Sequence, residues 1–361
     1  MRLLGWCFIG LNIGICVSCV WYNTRTHTSS GKRQRWNSSQ NWMWVWQLLG
    51  VLLALSLRLS PWHLAWWFVL GFLVHPIVRK LRGMYGLARR MPRLYQNWPL
   101  ALRSLVARHR QTFTLQLREG AQLCVHAPGY DTFIVNEIWA DKQYTPSSSF
   151  SIRDGWVVVD IGAHKGIFAV FAATRARDVK VSSFEASPEN FACLSRNVRL
   201  NHLSNVQAFN VAVGGRDGVS TLNLYRDNGQ NTLLKRSNPA LHPVGSVRVE
   251  TWSLATVLNT VAARVNLLKM DIEGMEYETL FSCPDEYLER VDRIALEYHD
   301  VWVRVPHTVF ELVEFLNAKG FSTHLTAGNE ILLAERICDL PAVAQFSQTE
   351  ELGFPHQRVA S

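Results

Sequence analysis

The sequence predicts an α/β fold, a mostly parallel sheet with helices on both faces, preceded by N-terminal apolar segments of membrane-helix length. Three observations carry this. Strand-like and helix-like runs alternate from about residue 156 to 319. Several of the strand runs, VVVDI the clearest, are nearly continuous apolar stretches, as strands covered on both faces are. Charge also divides the chain sharply: no Asp or Glu precedes Glu119, whereas sixteen Lys and Arg do. From Glu119 onward 21 bases meet 29 acids, so this part is net −8 within a chain of formal charge +8. Ten of the fourteen tryptophans fall in the first part. The overall charge describes neither part and is no nucleic-acid footprint, so no nucleic-acid partner is expected.

Residues 1–78 read as a membrane region with candidate spans at 3–22, 42–57 and 61–78, the first without any charge and close to the ~20 residues a bilayer needs. Only Arg58, Leu59 and Ser60 separate the second and third, which fits two tight spans or a re-entrant hairpin. Trp42, Trp44, Trp46, Trp62, Trp66 and Trp67 suit the lipid–water boundary. A basic juxtamembrane helical linker follows at 79–112, with Arg79, Lys80, Arg82, Arg89, Arg90 and Arg93, and it predicts a cytoplasmic face along an anionic leaflet. The lipid bilayer is therefore an expected partner. Seven dispersed cysteines, Cys16 and Cys19 among them, give no zinc spacing and suit free thiols in a reducing compartment.

The third part runs from 113 to 340, with a C-terminal tail at 341–361. FTLQL and AQLCVHA, turning at Gly120, predict a hairpin. Strands follow at 156–161, 179–185, 205–211, 265–271 and 291–297, and helices at 166–176, 188–201, 275–282 and 307–319. Ser187-Pro188 is a helix start, cap then N1 proline. Strands alternating with helices imply right-handed βαβ units. Residues 214–250 interrupt them with Gly-, Asn- and Pro-rich sequence and two strand-like runs, an excursion in the position of a lid.

Ligands of an open parallel sheet sit beyond the carboxyl ends of its strands. There the sequence places Asp160, Glu185, Asn210, Asp271 and Glu297, all polar and four of them acids. The first strand runs into D-x-G-x-x-x-G, with Gly162, Ala163, His164 and Gly166 opening a helix. A dinucleotide loop would be G-x-G-x-x-G, and Asp160 would set a negative charge where phosphate belongs. S-adenosylmethionine, cationic and free of phosphate, fits better. Asp160 would attract its cationic methionine end, Glu185 would take both ribose hydroxyls, and Asn210 would face the adenine.

VVVDIGAHKG, FEASPEN, FNVAVGG and LLKMDIEGMEYETL, in this order, resemble the FkbM-type methyltransferases over roughly 130–300. The resemblance implies a Rossmann-like methyltransferase fold, S-adenosylmethionine as cofactor, and O-methylation of a glycan, lipid-linked or polyketide-like acceptor. By position it assigns Asp160, Gly162 and Gly166 to the cofactor loop and Glu185 to the ribose. The block LKxDxEGxE is met by Lys269, Asp271, Glu273, Gly274 and Glu276. His164 departs from the family's Asn but tolerates the same left-handed backbone.

Methyl transfer is an in-line displacement that quenches a sulfonium, and an alcohol acceptor must also lose its proton. Asp271 is the first candidate for that base and also borders the cofactor. Glu273 and His299 complete the catalytic set, while Glu276 and Glu273 could equally cap the helix they open. Asp271, Glu273 and Glu297 could hold a divalent ion, but nothing in the spacing requires one and no metal site is assigned. The competing readings are an inactive fold acting as a membrane-anchored binding or scaffold protein, and a nucleotide-sugar enzyme, which Asp160 argues against.

Overall fold

The computed structural model describes residues 85–337 except 108, 110, 128–129, 226–227, 235–241, 300–304 and 327–329. The three candidate spans and the C-terminal tail lie outside the described residues, among which no helix is long and apolar enough to cross a membrane. The chain divides into two compact units, Met1–Pro92 and Arg93–Ser361. Of the first unit, the described residues 85–92 are helical. The second opens at Arg93 rather than at 113, because helix α1 (Trp98–Val106) packs on the hairpin of β1 (Gln111–Gln116) and β2 (Gln122–Ala127). Part of the expected linker is thus built into this unit.

Helix α2 (Asp131–Trp139) leads from the hairpin to β3 (Val157–Ile161). The valine run is explained by its position: Val158 and Val159 are fully buried, with β4 (Lys180–Phe184) on one side and β9 (Leu267–Met270) on the other. Helix α3 (Ile167–Ala173), the IFAVFAA run, is buried all round. Helix α4 (Pro188–Leu200) starts as expected, with Ser187 Oγ accepting from Asn190 N. Strand β5 (Val206–Phe209) closes this side of the sheet.

The excursion forms a separate three-stranded sheet in which β8 (Gly245–Ser253) pairs in parallel with β6 (Ala212–Gly214) and antiparallel with β7 (Gly218–Leu224). Helix α5 (Leu254–Val261) then returns to β9. Helices α6 (Glu276–Phe281) and α7 (Asp285–Leu288) precede β10 (Arg293–Glu297), and α8 (Val309–Ala318) carries a full capping box of Thr308 and Glu311. The last strands, β11 (Phe321–Leu325) and β12 (Ile331–Arg336), are antiparallel to each other, and β12 runs antiparallel to β10.

The main sheet has seven strands in the order β11-β12-β10-β9-β3-β4-β5. Its five central and lateral strands β10, β9, β3, β4 and β5 are parallel. This is the Rossmann-like methyltransferase fold. The chain builds outward from β3 to β5, then returns to β9 on the other side. The strand order therefore reverses between β3 and β9, which is where a cleft must open at the carboxyl ends.

Candidate cofactor and acceptor site

A cavity of ≈ 310 Å³ lies at that reversal. Gly162, Ala163, His164, Glu185, Asp271 and Glu273 line it, as does Glu297 at the end of β10. Its floor begins with the glycine turn. Gly162 has φ +73°, and a Cβ there would stand 1.7 Å from the Asp271 carbonyl oxygen, so the end of β3 meets the end of β9 with no room for any side chain. Gly166, φ +74°, faces away from the cavity: a Cβ would meet Leu194 at 2.9 Å, so its role is to let α3 approach α4. Between them, Lys165 is buried and paired with Asp131 of α2 at 2.6 Å, and its carbonyl accepts from Asn197 Nδ2 of α4 at 2.8 Å. The turn is thus pinned from two helices.

Besides Gly166, two more expected cofactor residues lie off the cavity. Asp160 is fully buried and does not line the cavity; Lys269 Nζ stands 3.3 Å from its Oδ1. Burial raises the Asp160 pKa although Lys269 pulls it down. An acid so buried and paired holds Lys269 rather than presenting a bare charge to a ligand. Lys269 Nζ in turn donates to the Gly162 carbonyl at 2.8 Å. Burial opposes its charge, but Asp160 and Asp271 outweigh this and raise its pKa. Asn210 is the second correction: its Nδ2 donates to the carbonyls of Glu185 at 2.8 Å and Ala186 at 3.2 Å, and it does not line the cavity. It supports the strand end instead of facing an adenine.

Glu185 does face the cavity. Its Oε2 accepts from His164 N at 2.7 Å and its Oε1 from Ser187 N at 2.8 Å, with the Asn190 side chain as a third donor to the carboxylate. Burial pushes its carboxyl up to about 7 against these donors. His164 adopts φ 51°, the left-handed conformation its position requires.

The opposite rim is crowded with carboxylates. Asp271 Oδ2 lies 3.2 Å from Tyr144 Oη, and Glu297 Oε2 lies 3.1 Å from the same phenol. Gln143 Nε2 donates to Glu297 Oε2 at 3.1 Å. The loop after α2 delivers both residues: Gln143 N bonds the Glu137 carbonyl and Thr145 N the Lys142 carbonyl, with Lys142 at φ 52°. Tyr144 packs edge-on against Phe168 and lies 5.3 Å from Lys269 Nζ, over its ring. Burial, then the charges of Asp271 and Glu297, raise its pKa well above the ordinary phenol value. Burial and the Asp271 charge push Glu297 up to about 8. Glu137 is raised by the same two causes.

Glu276 and His299 sit behind this rim. Glu276 is fully buried; its Oε1 accepts from Ile272 N and its Oε2 from Gly274 N, both at 2.9 Å, which settles it as the cap of this turn. His299 Nδ1 lies 3.0 Å from Glu276 Oε1, while Nε2 points between Asp271 and Glu273 at 3.9 and 3.8 Å. Burial opposes a charge on His299, but Glu276, Glu273 and Asp271 outweigh it and raise its pKa. Asp271, Glu276 and His299 offer ligand atoms within 4.8 Å of one another. Glu276 already accepts two backbone N–H groups and holds the imidazole, so the group is an oriented histidine and not an open ligand set.

Across the cavity, residues 229–233 of the β7–β8 connection form its other wall, held by Thr232 Oγ1 donating to the Glu273 carbonyl at 2.7 Å. Sequence reasoning placed this excursion near the site but missed Tyr144, Gln143 and Glu137. They lie in a loop and helix outside the strand-helix alternation, Glu137 within DTFIVNEIW and Gln143 and Tyr144 in the polar stretch after it.

The chain matches the family model described as the methyltransferase FkbM domain over residues 160–323. It is 30% identical over 189 residues to Methyltransferase 1 of Beauveria bassiana, covering 46% of this chain and 73% of that protein. It is 28% identical over 254 residues to the 31-O-demethyl-FK506 methyltransferase FkbM of Streptomyces tacrolimicus, covering 60% of this chain and 94% of the relative. Among solved structures it is similar to the precorrin-6y C5,15-methyltransferase of Geobacter metallireducens, at 14% identity and a TM-score of 0.33, covering 53% of this chain and 84% of the other.

Proposed function

Since the chain belongs to the FkbM methyltransferase family, we propose that it uses S-adenosylmethionine to O-methylate a hydroxyl of a glycan, lipid-linked or polyketide-like acceptor at the cytoplasmic face of a membrane. The observation that carries the reading is the division of the cavity between Glu185 with the glycine turn on one rim and Asp271, Glu273 and Glu297 on the other. The first rim suits a phosphate-free nucleoside: Glu185 faces the cavity as an acceptor for a ribose hydroxyl, and the glycine turn lines it with backbone. The second rim suits an alcohol, which needs a proton acceptor where the methyl group arrives. The relative named for 31-O-demethyl-FK506 supports oxygen as the atom methylated.

Asp271, Glu273 and His299 would serve the acceptor. Asp271 and Glu273 line the cavity, and His299, oriented by Glu276, stabilises both carboxylates from behind. Holding the acceptor oxygen in line with the methyl carbon is worth several kcal/mol, up to about 7–11 in ideal cases. The membrane part of the proposal rests on the uncharged stretches at 3–22, 42–57 and 61–78 with bases between and after them. Anchoring would confine enzyme and acceptor to one surface and raise their effective concentration.

Membranes containing the full chain, incubated with methyl-labelled S-adenosylmethionine, test this. Label should enter a solvent-extractable product and resist mild alkali, as an ether does. Label released as methanol by alkali, as from an ester, would contradict O-methylation of a hydroxyl.

A further inference from the structure

The contacts around Tyr144 do not close if every carboxyl is ionised. A phenol has one hydrogen to donate, yet Tyr144 Oη is within hydrogen-bond distance of both Asp271 Oδ2 and Glu297 Oε2. Two carboxylates gathered on one donor repel, and one of them is driven to keep a proton. The neighbours decide which. Asp271 has two cationic neighbours, Lys269 Nζ at 3.8 Å and His299 Nε2 at 3.9 Å. Glu297 makes no ion pair among the described residues. Its Oε2 is clamped by Gln143 and Tyr144, whereas Oε1 carries no hydrogen bond among the described residues and the side chain lines the cavity.

We propose that Glu297, not Asp271, is the catalytic residue that takes the acceptor's proton, with Tyr144 and Gln143 as its positioning residues. This rests on the methyl-transfer reading above. An oxygen lone pair of the acceptor forms the new bond to the methyl carbon, and the carbon–sulfur bond breaks with its electron pair going to sulfur, which becomes a neutral thioether. The acceptor's O–H proton passes to Glu297 Oε1. Asp271 instead faces Lys269 Nζ and His299 Nε2 and shares the Tyr144 phenol.

The resting carboxyl must first be emptied of its proton. Facing it are Gln143 and Tyr144 from the loop after α2, Glu137 from α2, Lys269 of β9, Asp271 from the end of β9, and His299 beyond β10. Asp271 and Glu137 favour the protonated form and His299 opposes it. Bound S-adenosylmethionine would add a sulfonium cation to the cavity, and Glu297 would then give up its proton to solvent. S-adenosylhomocysteine, neutral at sulfur, would not add that charge. A carboxyl pushed up to about 8 is largely protonated at pH 7.5, so the cationic ligand would release part of a proton that the neutral one leaves in place.

Calorimetry of the full chain in detergent at pH 7.5, in buffers of different ionisation enthalpy, counts these protons. The wild type should release more protons with S-adenosylmethionine than with S-adenosylhomocysteine. In Glu297→Gln both ligands should still bind, the difference should vanish, and methyl incorporation into membranes should fall by about 10²-fold or more. Equal proton release for the two ligands in the wild type, or a difference that survives in Glu297→Gln, would overturn the assignment. Should that variant fail to fold, Tyr144→Phe reads the same property: losing a donor to Glu297 moves the pH of half-maximal difference upward, and an unmoved midpoint would overturn it. If the wild type bound neither ligand, the cofactor reading itself would fall, and this proposal with it.

Discussion

The two rims of the cavity are made of different materials. At the ends of β3 and β4 the ligand would meet backbone, and the acids there are already engaged: Asp160 holds Lys269, and Glu185 ties His164 N to Ser187 N. At the ends of β9 and β10 it would meet side chains whose charges are incompletely matched, with Asp271 and Glu297 converging on one phenol. The first rim is a rigid cradle with steric tolerance near zero. The second is an electrostatic site that tolerates isosteric change but loses chemistry when charge is removed. Binding and reactivity are thereby assigned to opposite sides of the strand reversal.

Gly162→Val gives the sharpest contrast. A side chain would overlap the Asp271 carbonyl in a backbone conformation that L residues rarely adopt, so the variant should lose on the order of 4 kcal/mol or more of stability, measured by denaturant unfolding. Glu185→Ala comes next. It removes the acceptor of two backbone N–H groups and the partner assigned to the ribose; S-adenosylmethionine affinity should fall about 10–100-fold by calorimetry. A variant that bound as the wild type does would move the cradle off β4.

The other rim is sharpened by pH. Glu297 has a folded pKa of about 8 against 4.5 unfolded, so its contribution is most favourable below about 4.5 and is lost as pH rises through 8. Relative to Glu297→Gln, the wild type should therefore lose Tm across that window. A constant offset would mean that Glu297 is ionised throughout. The smallest effect belongs to Asn210→Ala, which loses two hydrogen bonds to carbonyls of the β4 end: about 1–2 kcal/mol in stability, with S-adenosylmethionine affinity within about threefold of wild type.

The same division explains what the sequence made legible. The strands and glycine turn were readable because a doubly covered strand is apolar throughout and a positive-φ turn requires glycine, so VVVDIG states its own structure. Strand-end positions located Glu185, Asp271 and Glu297. Sequence position does not reveal what each acid faces, however. Asp160 was read as a ligand contact because its partner Lys269 lies over a hundred residues away, and only the β3–β9 pairing brings them together. Asn210 is hidden for a similar reason, its side chain reaching across to the carbonyls at the neighbouring β4 end. Gln143 and Tyr144 were not legible because a loop residue's direction is set by tertiary contacts, here those to Asp271 and Glu297. Strands β11 and β12 escaped because short mixed runs such as FSTHL and ILLAER show no clean period of two.

The measurement that tests the central claim most directly is calorimetric titration of S-adenosylmethionine into the full chain in detergent, beside Glu185→Ala and Asp271→Asn. The account predicts one site per chain, weakened strongly by the substitution on the cradle and much less by the one on the opposite rim. Affinity lost through Asp271→Asn while Glu185→Ala binds as the wild type does would contradict the division of the cavity, and a folded wild type that binds no S-adenosylmethionine would contradict the site altogether.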